Sequence, residues 1–453
     1  MTPPPCGISI ATSLRRPAHH GRAVALLGAR EAPGQYPLRP VTFVTHLESA
    51  IDGTRLPART LQTIHEGKPL WVRYDLDAVK KAATRAAVVQ RPATLWKYRE
   101  LLPVERDEDI ISLGEVVTPL VECPRLARVL GLDRLLIKDE SPLPTGSFKS
   151  RGMAVAVSMA RSLGVKRVAI PTAGNAGGAL AAYSARAGLE CFVFMPRDTP
   201  AANRAEATLF GAKAFLVDGL ISDCGAIVRE GAERLGWFDF STLKEPYRIE
   251  GKKTMGLELA EQVGWRLPDA IFYPTGGGTG LIGMWKAFAE LAAIGWLESS
   301  KWPRMYACQS SGCAPIVEAF NQGERFAKAP AQPQTVASGL RVPKPLGDFM
   351  ILDAVRESGG RALAAEEKKI IEWTRLGAAC EGLSICPETG ACIGALAAAV
   401  KAGEVKRQDT VVIFNTGAAQ KYAEAIDVPV PLIDHRNIDW SLIERAAPAS
   451  AAR

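Results

Sequence analysis

From about Leu135 onward, short apolar runs alternate with alanine-rich stretches. Val168–Ile170, Cys191–Met195, Ala214–Val217, Ile271–Tyr273 and Met305–Gln309 read as strands. Gly152–Ala160 and Ala179–Tyr183, rich in good helix formers, read as helices between them. A further apolar run, Val411–Phe414, ends in the polar turn Asn415-Thr416-Gly417. Strands alternating with helices predict open α/β sheets wrapped by helices. With 453 residues, 47% of them apolar, core volume is not limiting, and two sub-domains around one active-site cleft are expected. The smaller is expected at about residues 153–265 and the larger from the flanking segments.

Three turns break this pattern with chemistry-bearing residues. The first is Pro144-Thr145-Gly146-Ser147-Phe148-Lys149-Ser150-Arg151-Gly152, which places Lys149 at or near the start of a helix. A cation there meets the positive end of the helix dipole. Burial and positive surroundings lower an amine's pKa and leave a nucleophile able to condense with an aldehyde. The second is Thr172-Ala173-Gly174-Asn175-Ala176-Gly177-Gly178, a strand-to-helix turn whose amides can hold a carboxylate while Asn175 offers a donor to a phenolic oxygen. Each of these two, taken alone, is also what an ordinary turn into a helix looks like. The third is Thr275-Gly276-Gly277-Gly278-Thr279-Gly280, between the run Ala270–Pro274 and the run Leu281–Trp285. Four glycines in six residues let several N–H groups approach a dianion, and the following helix adds its positive end. No Lys-Ser or Lys-Thr follows, which excludes a P-loop, and the spacing is not that of a dinucleotide fingerprint.

Together the three turns resemble the fold-type II family of pyridoxal phosphate enzymes, across roughly residues 110–425. The resemblance implies pyridoxal 5'-phosphate as cofactor, with Lys149 condensed with its aldehyde and Phe148 beside it. It further implies Asn175 on the ring hydroxyl, Gly276, Gly277, Gly278, Thr279 and Gly280 around the phosphate, and Thr416 facing the ring nitrogen. A neutral hydroxyl there leaves the ring nitrogen largely unprotonated, which suits elimination over transamination.

Within the family the flanks resemble the threonine synthases, through Thr118-Pro119-Leu120, Leu135–Ser141, His46-Leu47-Glu48 and Gly67–Leu76. That resemblance implies a lyase converting O-phosphohomoserine and water to threonine and phosphate, with Lys149 shuttling protons. It also implies an N-terminal ribbon, here without the cysteines of a zinc knuckle, because none lies between Cys6 and Cys123. Many threonine synthases carry Asn and Asp where this chain has Leu143 and Ser150. A threonine or serine dehydratase, or a β-replacing amino-acid synthase of the same fold, therefore stays open. A non-catalytic cofactor-binding protein and a nucleotide-binding oxidoreductase are the readings from other classes. Ser147, Thr172, Gly174, Arg151 and Arg341 are the candidate substrate contacts. Lys138, Arg204 and Lys252 are further cations for a substrate phosphate.

Net charge changes the picture little. Of the formal +7, residues 1–40 hold +4, from five arginines against Glu31. Those residues read as a disordered extension, with a transit peptide as the second reading. The expected order is the extension at 1–40, the ribbon and linker at 41–110, the catalytic core at 111–430 and a tail at 431–453. Nine scattered cysteines with no C-x-x-C pair point to no metal, no disulfide framework and a cytoplasmic setting. No apolar run reaches membrane-span length. No nucleic-acid partner is expected, and the family makes a homodimer the expected assembly.

Overall fold

The computed structural model describes residues 42–426 and 430–445. The extension expected at 1–40 and the last residues of the tail lie outside them. Three sheets organise the described residues. The first is an antiparallel ribbon in the order β2-β1-β3, from β1 (Val44–Ser49), β2 (Arg55–Pro57) and β3 (Leu70–Tyr74). The strands of the second are β4 (Leu120–Glu122), β5 (Arg134–Asp139), β10 (Ala270–Pro274), β11 (Arg304–Ser310), β12 (Ala362–Ala365) and β13 (Thr410–Asn415). They run in the order β12-β11-β10-β13-β5-β4, all parallel except β4. The third is parallel, β8-β7-β6-β9, from β6 (Arg167–Pro171), β7 (Glu190–Pro196), β8 (Lys213–Val217) and β9 (Phe238–Asp239).

The central strands are apolar on both faces because helices cover both faces. On β10, Ile271 and Tyr273 enter one core cluster while Ala270 and Phe272 enter another. β13 divides likewise, Val412 and Phe414 against Val411 and Ile413. In the third sheet, Val168 and Ile170 face one cluster and Ala169 the other.

Two buried helices run through the middle, Lys149–Ser162 and Tyr247–Gln262. They cross where both carry glycine: a Cβ on Gly251 would lie 2.0 Å from the Arg151 carbonyl oxygen, and one on Gly152 3.0 Å from Lys252 Cε. The second helix then packs on the helix Thr279–Ala293, where a Cβ on Gly283 would lie 2.9 Å from the Lys253 nitrogen. Every residue from Tyr247 to Ala260 is buried, five charged side chains included.

Candidate active site

The chemistry-bearing turns all leave the C-terminal ends of parallel strands. Lys149 follows β5, the glycine run follows β10, Thr416 follows β13, and Asn175 follows β6 in the third sheet. β10, β13 and β5 are neighbours, so three of the turns open on one edge, as expected for ligand sites in open α/β sheets. The Lys149 turn is tied to the Thr416 turn by the Phe148 N–H, which donates to the Thr416 carbonyl at 3.0 Å, and by a Ser147–Gly417 bridge. One pocket is lined by Phe148, Lys149, Asn175, Gly276 to Gly280 and Thr416.

Lys149 is the first residue of its helix, and its Nζ lies 4.2 Å from the centre of the Phe148 ring. Burial brings its pKa down to about 7; the Arg248 guanidinium adds to the fall and Glu388 opposes it. Lys252 Nζ lies over the same ring at 4.1 Å and donates to the Phe148 carbonyl. Its pKa is pushed well below the usual lysine range by burial, and next by Lys149 and Arg248. Arg248 is the cation that acts on Lys149.

Glycine is required in the β10 turn for two separate reasons. Gly278 has φ +72°, and a Cβ there would lie 2.2 Å from Ile351 Cδ1. At Gly276 and Gly280 a Cβ would lie 2.3 Å from the Gly339 oxygen and 1.8 Å from Tyr273 Oη. The turn feeds the N-terminus of the helix Thr279–Ala293, whose free N–H groups favour an anion. Asn175 is clamped from both sides: its Oδ1 accepts from Asn203 Nδ2 at 2.8 Å, and its Nδ2 donates to Tyr422 Oη at 3.1 Å. One Asn175 amide hydrogen remains for a ligand.

The substrate candidates fare unevenly. Thr172 Oγ1 donates to the Gly174 carbonyl at 2.9 Å and accepts from the Gly174 N–H at 3.1 Å, so its hydroxyl closes the turn. Ser147 Oγ is buried with no partner. Arg151 points away from the pocket, into a buried network with Glu140, Glu258, Thr118 and Thr254. The reason is helical geometry, since two residues turn the side chain by about 200° from Lys149. Lys138 joins that network through Glu258 at 2.8 Å. Arg341 pairs with Asp198 at 2.6 and 3.1 Å and lines a different cavity with Gln334 and Glu367. Arg204 does not line the pocket either.

Residues that the sequence pattern does not single out complete the site. Thr242, Tyr273, Ser338, Gly339, Glu388 and Tyr422 line the pocket. Arg248 is 1% exposed; one guanidinium nitrogen donates to the Phe240 carbonyl at 2.7 Å while Nε has no partner. The available signal was the run Arg248-Ile249-Glu250-Gly251-Lys252-Lys253, charged around the helix with no apolar face. Asp52, His65 and Glu66, partly exposed on the ribbon, bring ligand atoms within 4.8 Å of one another, away from this pocket.

Comparison with known proteins shows the family of the chain. Residues 111–417 match the family of pyridoxal-phosphate dependent enzymes. The chain belongs to that family. A threonine synthase of Methanocaldococcus jannaschii is 34% identical over 366 residues, covering 81% of this chain and 90% of that protein. A threonine synthase of Methanosarcina acetivorans is 36% identical over 349 residues, covering 76% and 85%. Among solved structures, maize serine racemase superposes with a TM-score of 0.58 at 20% identity, covering 73% of this chain and 91% of that one. The architecture is that of a fold-type II pyridoxal-phosphate enzyme, as the sequence led one to expect.

The cofactor of the family is pyridoxal phosphate, and this pocket fits it. It offers a buried amine with its pKa near neutrality and a free amide hydrogen on Asn175. It also offers a turn so close to its surroundings that a methyl group at Gly276, Gly278 or Gly280 would collide with the Gly339 oxygen, Ile351 or Tyr273. Lys149 would carry the aldehyde, Gly276 to Gly280 the phosphate, and Asn175 and Thr416 the ring's polar atoms. No helix among the described residues is long and apolar enough to cross a membrane.

Proposed function

We propose that the chain converts O-phosphohomoserine and water to threonine and phosphate. What carries this reading within the family is the one-third identity to threonine synthases over most of both chains. A buried cation supports it from outside the pocket lining: Arg248, which acts on Lys149 and retains an unpartnered Nε. It takes the place of Arg151 and Arg341, which are committed to Glu140, Glu258 and Asp198.

Bound pyridoxal phosphate supplies an electron sink conjugated to the substrate's α-carbon. The chain's own residues supply the rest. Lys149, neutral above a pH of about 7, takes a proton from Cα and returns protons along the carbon chain. The Gly276–Gly280 amides and the helix behind them hold the cofactor phosphate, so that the ring is fixed while the substrate changes. Arg248 offsets the negative charge of the departing phosphate. Ser147, Thr172 and Gly174 stand near enough in sequence to the Lys149 and Asn175 turns to contact the substrate carboxylate.

We also infer a homodimer acting in the cytoplasm with no nucleic-acid partner. The division into ribbon, core and tail, with a smaller sub-domain at about 153–265, belongs to the same proposal.

The test is product analysis of the purified protein with O-phosphohomoserine, in parallel with threonine and serine, using Lys149→Ala as control. Threonine plus phosphate, absent in the variant, is the expected result. Formation of 2-oxobutyrate or pyruvate from the hydroxy amino acids, with phosphohomoserine left intact, would replace this reading with an ammonia-lyase.

A further inference from the structure

Tyr422 ends the short helical turn Ala419–Tyr422, and its side chain lines the Lys149 pocket while only 5% exposed. The chain is stitched to its surroundings on both sides of that residue. Lys421 Nζ donates to the Thr145 carbonyl at 2.9 Å and to Glu206 at 2.7 Å, and Glu424 accepts from the Ala201 N–H at 3.0 Å. Ala201 and Glu206 belong to the helix Ala201–Leu209, which also carries Asn203, itself 1% exposed. Two anchored elements thus bring Tyr422 and Asn203 to the Asn175 amide, the tyrosine at its nitrogen and Asn203 at its oxygen.

An asparagine amide can sit in either of two orientations, half a turn apart, that exchange its oxygen with its nitrogen. Tyr422 lines the pocket and Asn203 does not, so the orientation with nitrogen toward Tyr422 is the one that turns N–H to the pocket side. A tyrosine hydroxyl can serve both orientations, because it donates and accepts. Here that freedom is removed. The Tyr422 hydroxyl shares a hydrogen bond with Glu388, and a carboxylate only accepts. Burial first, and then the Glu388 carboxylate, hold the hydroxyl well above the usual tyrosine range, so it keeps the hydrogen that it gives away there. Toward Asn175 the tyrosine oxygen is left to accept. Asn203 Nδ2 donates from the other side at 2.8 Å and requires the Asn175 oxygen to face it.

We propose that Tyr422 and Asn203 are positioning residues that clamp the Asn175 amide with its nitrogen toward the pocket, where its remaining hydrogen meets the cofactor's ring hydroxyl. The inference rests on the placement of Asn175 against that hydroxyl. A donor at the ring oxygen favours the form in which that oxygen carries negative charge. That form absorbs in the visible, and the form that keeps its hydroxyl hydrogen absorbs in the near ultraviolet. The clamp is therefore readable in the spectrum of the bound cofactor before any substrate is added.

The experiment uses full-length holoenzyme without substrate. The ratio of the visible to the near-ultraviolet band of bound pyridoxal phosphate is recorded at one pH for the wild type, Tyr422→Phe, Asn203→Ala, Asn175→Ala and the double variant Asn175→Ala/Tyr422→Phe. Tyr422→Phe keeps the ring and loses only the oxygen; it should lower the ratio about fivefold, the worth of one hydrogen bond, and Asn203→Ala should lower it in the same direction. Asn175→Ala should lower it at least as far. Adding Tyr422→Phe to Asn175→Ala should then change nothing more, because the tyrosine acts through that amide. A ratio that Tyr422→Phe or Asn203→Ala leaves in place overturns the proposal, as does a further fall in the double variant. If Tyr422→Phe does not take up cofactor, Asn203→Ala decides. A ratio unchanged in Asn175→Ala removes both the clamp and the placement of Asn175 on the ring hydroxyl. The expected ratios without turnover of O-phosphohomoserine sink the substrate reading and leave this one standing.

Discussion

The crossing of the helices Lys149–Ser162 and Tyr247–Gln262 separates two groups of buried charges that receive opposite treatment. On one side Arg151 meets Glu140 and Glu258, and Lys138 meets Glu258. Further along, Lys253 and Lys286 are balanced by Glu250 and Glu290, with Tyr74 of the ribbon donating to Glu250 at 2.7 Å. On the pocket side, Lys149, Lys252 and Arg248 have no carboxylate at ion-pair distance among the described residues. Two residues separate Lys149 from Arg151, and one step separates Lys252 from Lys253. Equal burial thus produces a scaffold where charges cancel and a reactive site where they do not. The pKa of Lys149 falls because burial, helped by Arg248, outweighs the opposing Glu388.

The sharpest way to test this contrast is to remove one charge from each side. Lys149→Ala should abolish turnover, a loss on the order of ten-thousandfold or more, with stability unchanged or raised because an unpaired buried amine is gone. Steady-state kinetics and urea denaturation on the same preparation check both halves. Glu258→Gln should do the reverse to stability, costing about 3–5 kcal/mol by stranding Arg151 and Lys138. A loss under about 1 kcal/mol in that variant would mean that the paired charges do not hold the crossing together.

Gly276→Ala tests the phosphate turn between those extremes. Its Cβ would lie 2.3 Å from the Gly339 backbone oxygen, which cannot swing aside as a side chain can. Overpacking of about 1–3 kcal/mol should weaken cofactor affinity by roughly ten- to hundredfold, measured by titrating the apoenzyme with pyridoxal phosphate.

Smaller effects probe the electrostatics. The rate of cofactor capture by the apoenzyme should rise with pH through about 7, because below that value Lys149 is protonated and above it the amine is free. Arg248→Met removes the nearby positive charge, so protonated Lys149 becomes less unfavourable and the midpoint moves up in pH. A midpoint that stays in place would assign the depression to burial alone. Arg341→Ala should change KM for O-phosphohomoserine by less than about threefold, since its guanidinium is paired with Asp198 outside the pocket. Stopped-flow absorbance and initial rates read these two.

Much of the site was legible because its requirements are local. Four glycines in six residues, directly after an apolar run, reflect a backbone constraint that the turn itself imposes at Gly278. The Lys149 turn and the Thr416 turn likewise end strands that their apolar composition marks as buried. Arg341, flanked by apolar residues and followed by proline, looked inward; Leu340 is buried, but the arginine itself turns out to Asp198. Lys252 was a candidate cation for a substrate phosphate and Arg248 was not singled out, though the two, four residues apart, share one helical face. They are enclosed because three helices close over them at Gly152, Gly251 and Gly283.

The sequence by itself therefore determined the α/β order and the glycine-rich turn, and put Lys149 forward as the nucleophile, all from short segments whose residue types admit few backbone conformations. The tertiary structure alone decided which of the buried charges find partners. That choice depends on residues more than a hundred positions apart, such as Arg151 and Glu258, meeting at one crossing. Pairing energies act between neighbours in space, and no periodicity along the chain encodes which neighbours those will be.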